Sequence, residues 1–180
     1  RQWRTYYEGS RVLPARTPKG GNGMPWKLKD CAAALGQTEL RYHYDEAEQA
    51  IRLVFVTSRY RNRRGEHLAV VTVTTPADGQ RLRLSIERAI EVGDDPAAAC
   101  LAACQFAAAM PLVGVEYDAD FDNLRLVVET VLQDGLRTPL QLCTMVNKLI
   151  DAAEIWSAVA DRSERESQHF VSGQVSRKVA

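Results

Sequence analysis

Residues 94–156 read DDPAAACLAACQFAAAMPLVGVEYDADFDNLRLVVETVLQDGLRTPLQLCTMVNKLIDAAEIW, and this stretch decides the fold. Asp94-Asp95-Pro96 opens a helix. Asp95 can cap orphan amides, and Pro96 suits the first helical position because its missing N–H had no partner to lose. Ala97 to Met110 is rich in alanine and free of β-branched residues, so its helix propensity is high, and Pro111 ends it. Cys100, Leu101, Cys104 and Ala108 recur at helical spacing and are expected to form the stripe that lies on a sheet. Val113, Val115 and Tyr117 then alternate with polar neighbours, as do Leu124, Leu126 and Val128. The turn between these two runs is expected at Asp120 to Asn123. Thr138-Pro139-Leu140-Gln141 is a capping box opening a second helix, with Leu142, Val146, Leu149, Ala153 and Trp156 as its apolar stripe.

Upstream, the sequence supplies the sheet these helices would cover. Trp26 to Leu35 is a short amphipathic helix with Leu28, Cys31, Ala32 and Leu35 on one face, and Gly36 stands at its C-terminal cap. Four strands are expected next. Leu40, Tyr42 and Tyr44 alternate with Arg41, His43 and Asp45. Ile51, Leu53 and Phe55 share a face, with Val54 and Val56 making the other face apolar too, which suggests an interior strand. Leu68 to Thr75 is rich in Val and Thr. Arg81 to Glu87 places Leu82, Leu84 and Ile86 on one side and Arg81, Arg83 and Ser85 on the other. Pro76-Ala77-Asp78-Gly79 predicts a tight hairpin between the last two strands.

Two regions stand outside this pattern. Residues 1–23 are expected to form an irregular arm, because Gly20, Gly21 and Gly23 with Pro14 and Pro18 disfavour regular structure. In it Arg1, Arg4, Arg11, Arg16 and Lys19 outweigh Glu8, and Trp3, Tyr6 and Tyr7 interleave. Residues 161–180 form a polar C-terminal tail, into which the last helix is expected to run for a turn or two. The domain proper is residues 24–160.

Composition narrows the function. With 23 basic and 23 acidic residues, the chain as a whole has no strong field for nucleic acid or an anionic membrane. No apolar run reaches the ~20 residues that span a bilayer. The chain opens on Arg1, which points to a partial chain, and its start shows no signal-peptide pattern. Cys31, Cys100, Cys104 and Cys143 all fall on predicted helices among apolar neighbours and read as buried free thiols of a reducing cytoplasm.

The chemistry signals are weak. Asp118, Asp120, Asp122 and Glu129 match the carboxylate spacing of a calcium-binding EF-hand loop. The position needing glycine is Asn123, however, and the flanks alternate like strands. The acids therefore read as the outer decoration of a hairpin, with Asn123 taking a left-handed backbone. The four cysteines form no CxxC pair, and His43, His67 and His169 adjoin no nucleophile in a recognisable motif, so no metal, cofactor or catalytic residue is assigned. Arg59-Tyr60-Arg61-Asn62-Arg63-Arg64-Gly65 is a basic hairpin tip. It reads either as a solvated turn that deters edge aggregation or as a contact for phosphates or an acidic partner.

Three stretches carry a family resemblance. They are Gly79-Gln80-Arg81-Leu82-Arg83-Leu84, Pro111-Leu112-Val113-Gly114-Val115-Glu116-Tyr117-Asp118, and Thr138-Pro139-Leu140-Gln141-Leu142 with the helix it opens. In the order helix, strands, helix, hairpin, helix, the chain resembles the YbjN family and the class I type III secretion chaperones across roughly residues 24–160. The resemblance implies an α+β fold with one antiparallel sheet and helices packed on it, a homodimer, no cofactor and no catalytic residue. It also implies apolar surface that receives a segment of a protein partner. This chain departs from those chaperones in its neutral charge, one additional strand and its basic arm.

The expectation is a non-enzymatic, cytoplasmic, bacterial interaction module, with Trp3, Tyr6, Tyr7, Arg59, Arg61, Arg63 and Arg64 as candidate partner-binding residues. The alternative is a nucleic-acid-binding module using the basic arm and the Arg59–Arg64 tip, since bases stack on aromatics beside basic side chains.

Overall fold

The computed structural model describes residues 27–76, 80–131 and 138–176, with side chains to 159. The element order is α1 (Leu28–Leu35), β1 (Tyr42–Asp45), β2 (Ala50–Val56), β3 (Leu68–Thr74), β4 (Arg81–Glu91), α2 (Pro96–Ala109), β5 (Gly114–Asp118), β6 (Asn123–Val131) and α3 (Pro139–Ser176). This is the α+β arrangement the sequence predicts. The strands form one six-stranded sheet, ordered β1-β2-β3-β4-β6-β5, and every neighbouring pair is antiparallel.

The sheet's register follows from its period-two apolar pattern, because a slip of one residue would turn each strand's apolar set to the wrong side. Ile51 lies opposite Val73, Val73 opposite Leu84, and Leu84 opposite Val128, so one apolar row crosses four strands. Ile51, Leu53, Val71, Val73, Leu82, Leu84, Ile86, Leu124 and Leu126 are buried on this face. α3 covers β3, β4 and β6 with Leu142, Val146, Leu149 and Ala153, the stripe read from the sequence. α1 seats Leu28, Cys31 and Leu35 against β2 and α3. α2 rests on β5.

The caps behave as their residue types dictate. Asp95 accepts the Ala98 N–H at 3.0 Å, with Pro96 at the first helical position. Thr138 and Gln141 bond reciprocally, at 2.9 and 3.2 Å. Gly36 caps α1 in the right-handed region, at φ −61°, its N–H bonded to the Ala32 carbonyl at 2.9 Å.

Four expectations need correction. The left-handed residue of the β5–β6 turn is Asp122 (φ 50°), while Asn123 is already the first residue of β6, opposite Asp118. α3 continues unbroken to Ser176, well beyond a turn or two. Arg162, Glu164, Arg165 and Glu166 are good helix formers, and propagation from an anchored helix needs no new nucleus. The stripe assigned to α2 is turned outward: its buried residues are Ala103 and Phe106, while Leu101, Cys104 and Ala108 are exposed. A helix whose one polar amide is Gln105 has no polar face to orient it, so spacing alone carries no direction. Cys104 is therefore an exposed thiol and Cys100 a half-buried one, and only Cys31 and Cys143 are buried as expected. The predicted turn at 76–79 lies largely outside the described residues.

Candidate interaction surfaces

Among the described residues no helix covers the sheet's second face, and its two halves differ. On β4, β6 and β5 it is a lattice of charges. Arg83 pairs with Glu116 and, at 3.2 Å, with Glu129, and Arg81 reaches Glu129 at 2.7 Å. Arg125 meets Asp118 at 2.6 Å and Glu87 at 3.4 Å. Beneath these guanidinium groups Val127 and Ser85 are buried as an opposed pair. Gly114 makes room for them, since a Cβ there would fall 3.1 Å from Val127 Cγ2. Arg83 donates to Glu116, which holds that carboxyl below its ordinary range, and Arg83 is held above its own by the same bond. Asp118, first in the acidic ladder, is thus bound to Arg125, while Asp122 accepts the Tyr117 hydroxyl at 2.7 Å. The two carboxylates serve separate partners. Among the described residues no three His, Cys, Asp or Glu side chains gather as a metal site.

On β2 and β3 the same face carries Arg52, paired with Asp45 and Glu48, opposite Thr72, and only its end next to loop 57–67 is aliphatic. Val54 pairs with Val70, and Val56 with Leu68. Val54 is 61% exposed and Val56 72%. The apolar alternate positions of β2 predict an interior strand. β2 is indeed interior in the sheet order, but nothing in the described residues covers its second face.

The basic segment continues directly from these strand ends. It is the loop 57–67 that joins the antiparallel strands β2 and β3, the hairpin connection expected from the sequence. Its closing bonds include Thr57 N–H to the His67 carbonyl at 2.9 Å and Gly65 N–H to the Asn62 carbonyl at 2.8 Å. Tyr60 is buried in the core, and burial pushes its phenol up to about 12. Glu154 of α3 accepts the backbone N–H groups of Ser58, Arg59 and Tyr60, the latter two at 2.7 and 3.1 Å. Arg59, Arg61, Arg63 and Arg64 are exposed, and among the described residues none has a carboxylate within ion-pair distance. Arg61 instead donates to the Gly65 carbonyl at 2.9 Å. Trp3, Tyr6 and Tyr7 lie outside the described residues. Facing Arg59, the exposed Ile155 and Val159 of α3 line a shallow open depression.

The third surface is the one periodicity misassigned. α2 has a single hydrogen-bonding side chain other than its thiols, Gln105, and no charge. Phe106 packs edge-on against Trp156 with ring centroids 5.3 Å apart, and this holds the helix to the body. Its outer side presents Leu101, 62% exposed, with Cys104 and several alanines. Nearby exposed apolar groups are Leu112, which follows the helix at φ 72°, and Tyr117. At the β5–β6 turn, Phe121 is partly covered by the Arg88 guanidinium, 3.8 Å from its ring centroid. Arg88 reaches it from an irregularity in β4, where the register shifts between Ile86 and Ile90 and Arg88 adopts φ 51°.

None of the described helices is long and apolar enough to cross a membrane. No protein-family model and no curated protein matches the chain. Among solved structures it is similar to a chain of the HopA1–SchA chaperone–effector complex, at 14% identity over 73% of this chain and 90% of that one, with a TM-score of 0.48.

Proposed function

We propose that this chain is a non-enzymatic, chaperone-like protein-interaction module of the bacterial cytoplasm, acting as a homodimer that receives a segment of a protein partner. The observation that carries this reading is α2, a fourteen-residue helix without a charged residue of which only Ala103 and Phe106 are buried. A helix with one polar amide, Gln105, and no charge is normally enclosed, and exposed apolar patches on soluble proteins mark contact sites. A second copy offers the same uncharged surface, so a two-fold contact through α2 would bury both faces at once. Charged residues around the apolar areas would set register and partner choice.

The test is affinity capture of the tagged chain with identification of the proteins retained, alongside sedimentation of the unmodified chain and of Leu101→Glu. Dimers that Leu101→Glu converts to monomers, together with a reproducible protein partner, support the reading. A monomer at high micromolar concentration removes the homodimer, and no retained protein removes the module.

The four exposed arginines of loop 57–67, with no carboxylate partner among the described residues, favour a second reading as a nucleic-acid-binding module using this loop and the arm with Trp3, Tyr6 and Tyr7. It predicts binding to single-stranded DNA or RNA that weakens steeply with salt.

A further inference from the structure

We infer that the uncovered face of β2 and β3, together with loop 57–67, docks an extended peptide segment bearing aliphatic side chains beside a cluster of carboxylates. This rests on the interaction-module reading and deepens it by naming a surface and the chemistry of the partner.

Two adjoining features define the occupant. The first is the aliphatic patch. Val54 and Val70 face each other across the ladder, Val56 and Leu68 form the next pair on the same side, and Val54, Val56 and Val70 are exposed. Side chains two apart on an extended peptide could rest on successive pairs, since both peptide and strand repeat every second residue. The second feature is charge. Arg59 lies three residues beyond Val56, and Arg64 four residues before Leu68. Their Cα atoms are therefore within about 11 Å and about 14 Å of the patch. Among the described residues no carboxylate forms an ion pair with the four arginines, and the one acid within the loop, Glu66, accepts from Asn62 Nδ2 at 2.8 Å. Glu154 fixes three consecutive loop amides, so the loop backbone is held in place before a partner arrives.

Charge complementarity selects among occupants. The chain's own arm is basic, with Arg1, Arg4, Arg11, Arg16 and Lys19 against Glu8, and would bring like charge to the loop. A second copy docked through this patch would bring its own arginine loop. A single-stranded nucleic acid would match the charge, but it gains affinity by stacking bases on aromatic rings. The exposed positions here are valines, and the neighbouring Phe55 packs against the core on the opposite face. An acidic, aliphatic peptide satisfies both halves of the surface.

The experiment is fluorescence polarisation on the full chain with a labelled peptide of a glutamate run followed by alternating Val and Thr. The controls are a peptide with lysines in place of the glutamates and a thymidine oligonucleotide. The variants are Val54→Ser with Val56→Ser, and Arg63→Gln with Arg64→Gln. All these side chains are exposed, so the thermal transition should stay where it is. The expected result is saturable binding of the acidic probe, weakened about tenfold or more by either pair of substitutions, a change of about 1.4 kcal/mol. The lysine probe and the oligonucleotide bind more weakly. Absence of acidic-probe binding overturns the inference, as does equal or tighter binding of either control, or an affinity that neither pair alters. If partner capture survives both pairs but is lost in Leu101→Glu, the interaction module stands and this surface is not its docking site.

Discussion

Glu154 on α3 accepts the backbone N–H of Arg59 at 2.7 Å across ninety-five residues of sequence. The same carboxylate takes the N–H groups of Ser58 and Tyr60, so one side chain closes the loop against the helix layer. Hydrogen bonds to an ionised acceptor are stronger than neutral ones, and three share this acceptor. Glu154→Ala is expected to destabilise the chain by about 1–3 kcal/mol, with Glu154→Gln intermediate because its amide oxygen still accepts. Thermal unfolding measures the loss. Faster amide exchange at 58–60 in Glu154→Ala, with exchange in β4 and β6 changed less, would locate it. Unchanged exchange there would show that the carboxylate does not hold the loop.

The two faces of α2 should respond oppositely to truncation. Phe106 is buried against Trp156, and Phe106→Ala is expected to cost about 3–5 kcal/mol. Leu101 is 62% exposed, and Leu101→Ala should stay within about 0.5 kcal/mol of the parent in a monomeric state. Denaturation in urea distinguishes them. A large loss at Leu101 that grows with protein concentration would identify this side of α2 as a subunit contact.

Thiol reactivity should rank the cysteines by exposure. Cys104 is exposed, whereas Cys31 is fully buried and its thiol is pushed up to about 12, first by burial and then by the nearby Asp30 charge. Iodoacetamide at neutral pH, read by mass spectrometry after digestion, should modify Cys104 first, while Cys31 and Cys143 react only on unfolding. Protection of Cys104 in the native chain would mean that another surface covers it.

Acid should weaken the uncovered face of the sheet. Glu116 lies below its ordinary value of 4.5 because Arg83 donates to its charged form, and Asp45 lies below 3.8 because it accepts the Glu48 N–H and an Arg52 bond. A carboxyl whose folded-state value is depressed contributes stability that is present above its unfolded value and lost as pH falls through its folded value. Unfolding free energy should therefore hold down to about pH 5 and fall below it. Glu116→Gln should flatten part of that fall, and salt should reduce its size because these pairs are partly exposed. An unaltered acid profile in Glu116→Gln would remove Glu116 from this account.

Much of the architecture is legible locally. β1, β5 and β6 follow from alternation, as does β4 as far as Glu87, because burial on one face imposes a period of two, while β2 and β3 show in their β-branched residues; the structure carries β4 on to Glu91 and β6 to Val131. The Asp95 and Thr138 caps are visible because they bond within three residues. The outward face of α2 was not legible, since Leu101 and Phe106 are equally apolar and only packing against β5 and Trp156 tells them apart. The Glu154 contact gave no signal at all, because no pattern relates a helix carboxylate to amides ninety-five residues earlier.

For the described residues, the kind and order of the elements are written in the chain locally, because periodicity, caps and turn residues act over a few positions. So is the basic character of residues 59–64. Which apolar surfaces the described residues leave bare, namely Val54, Val56 and Val70 on the sheet and Leu101 on α2, is a product of packing alone. Exposure depends on what packs where, and packing is settled between segments far apart in the chain.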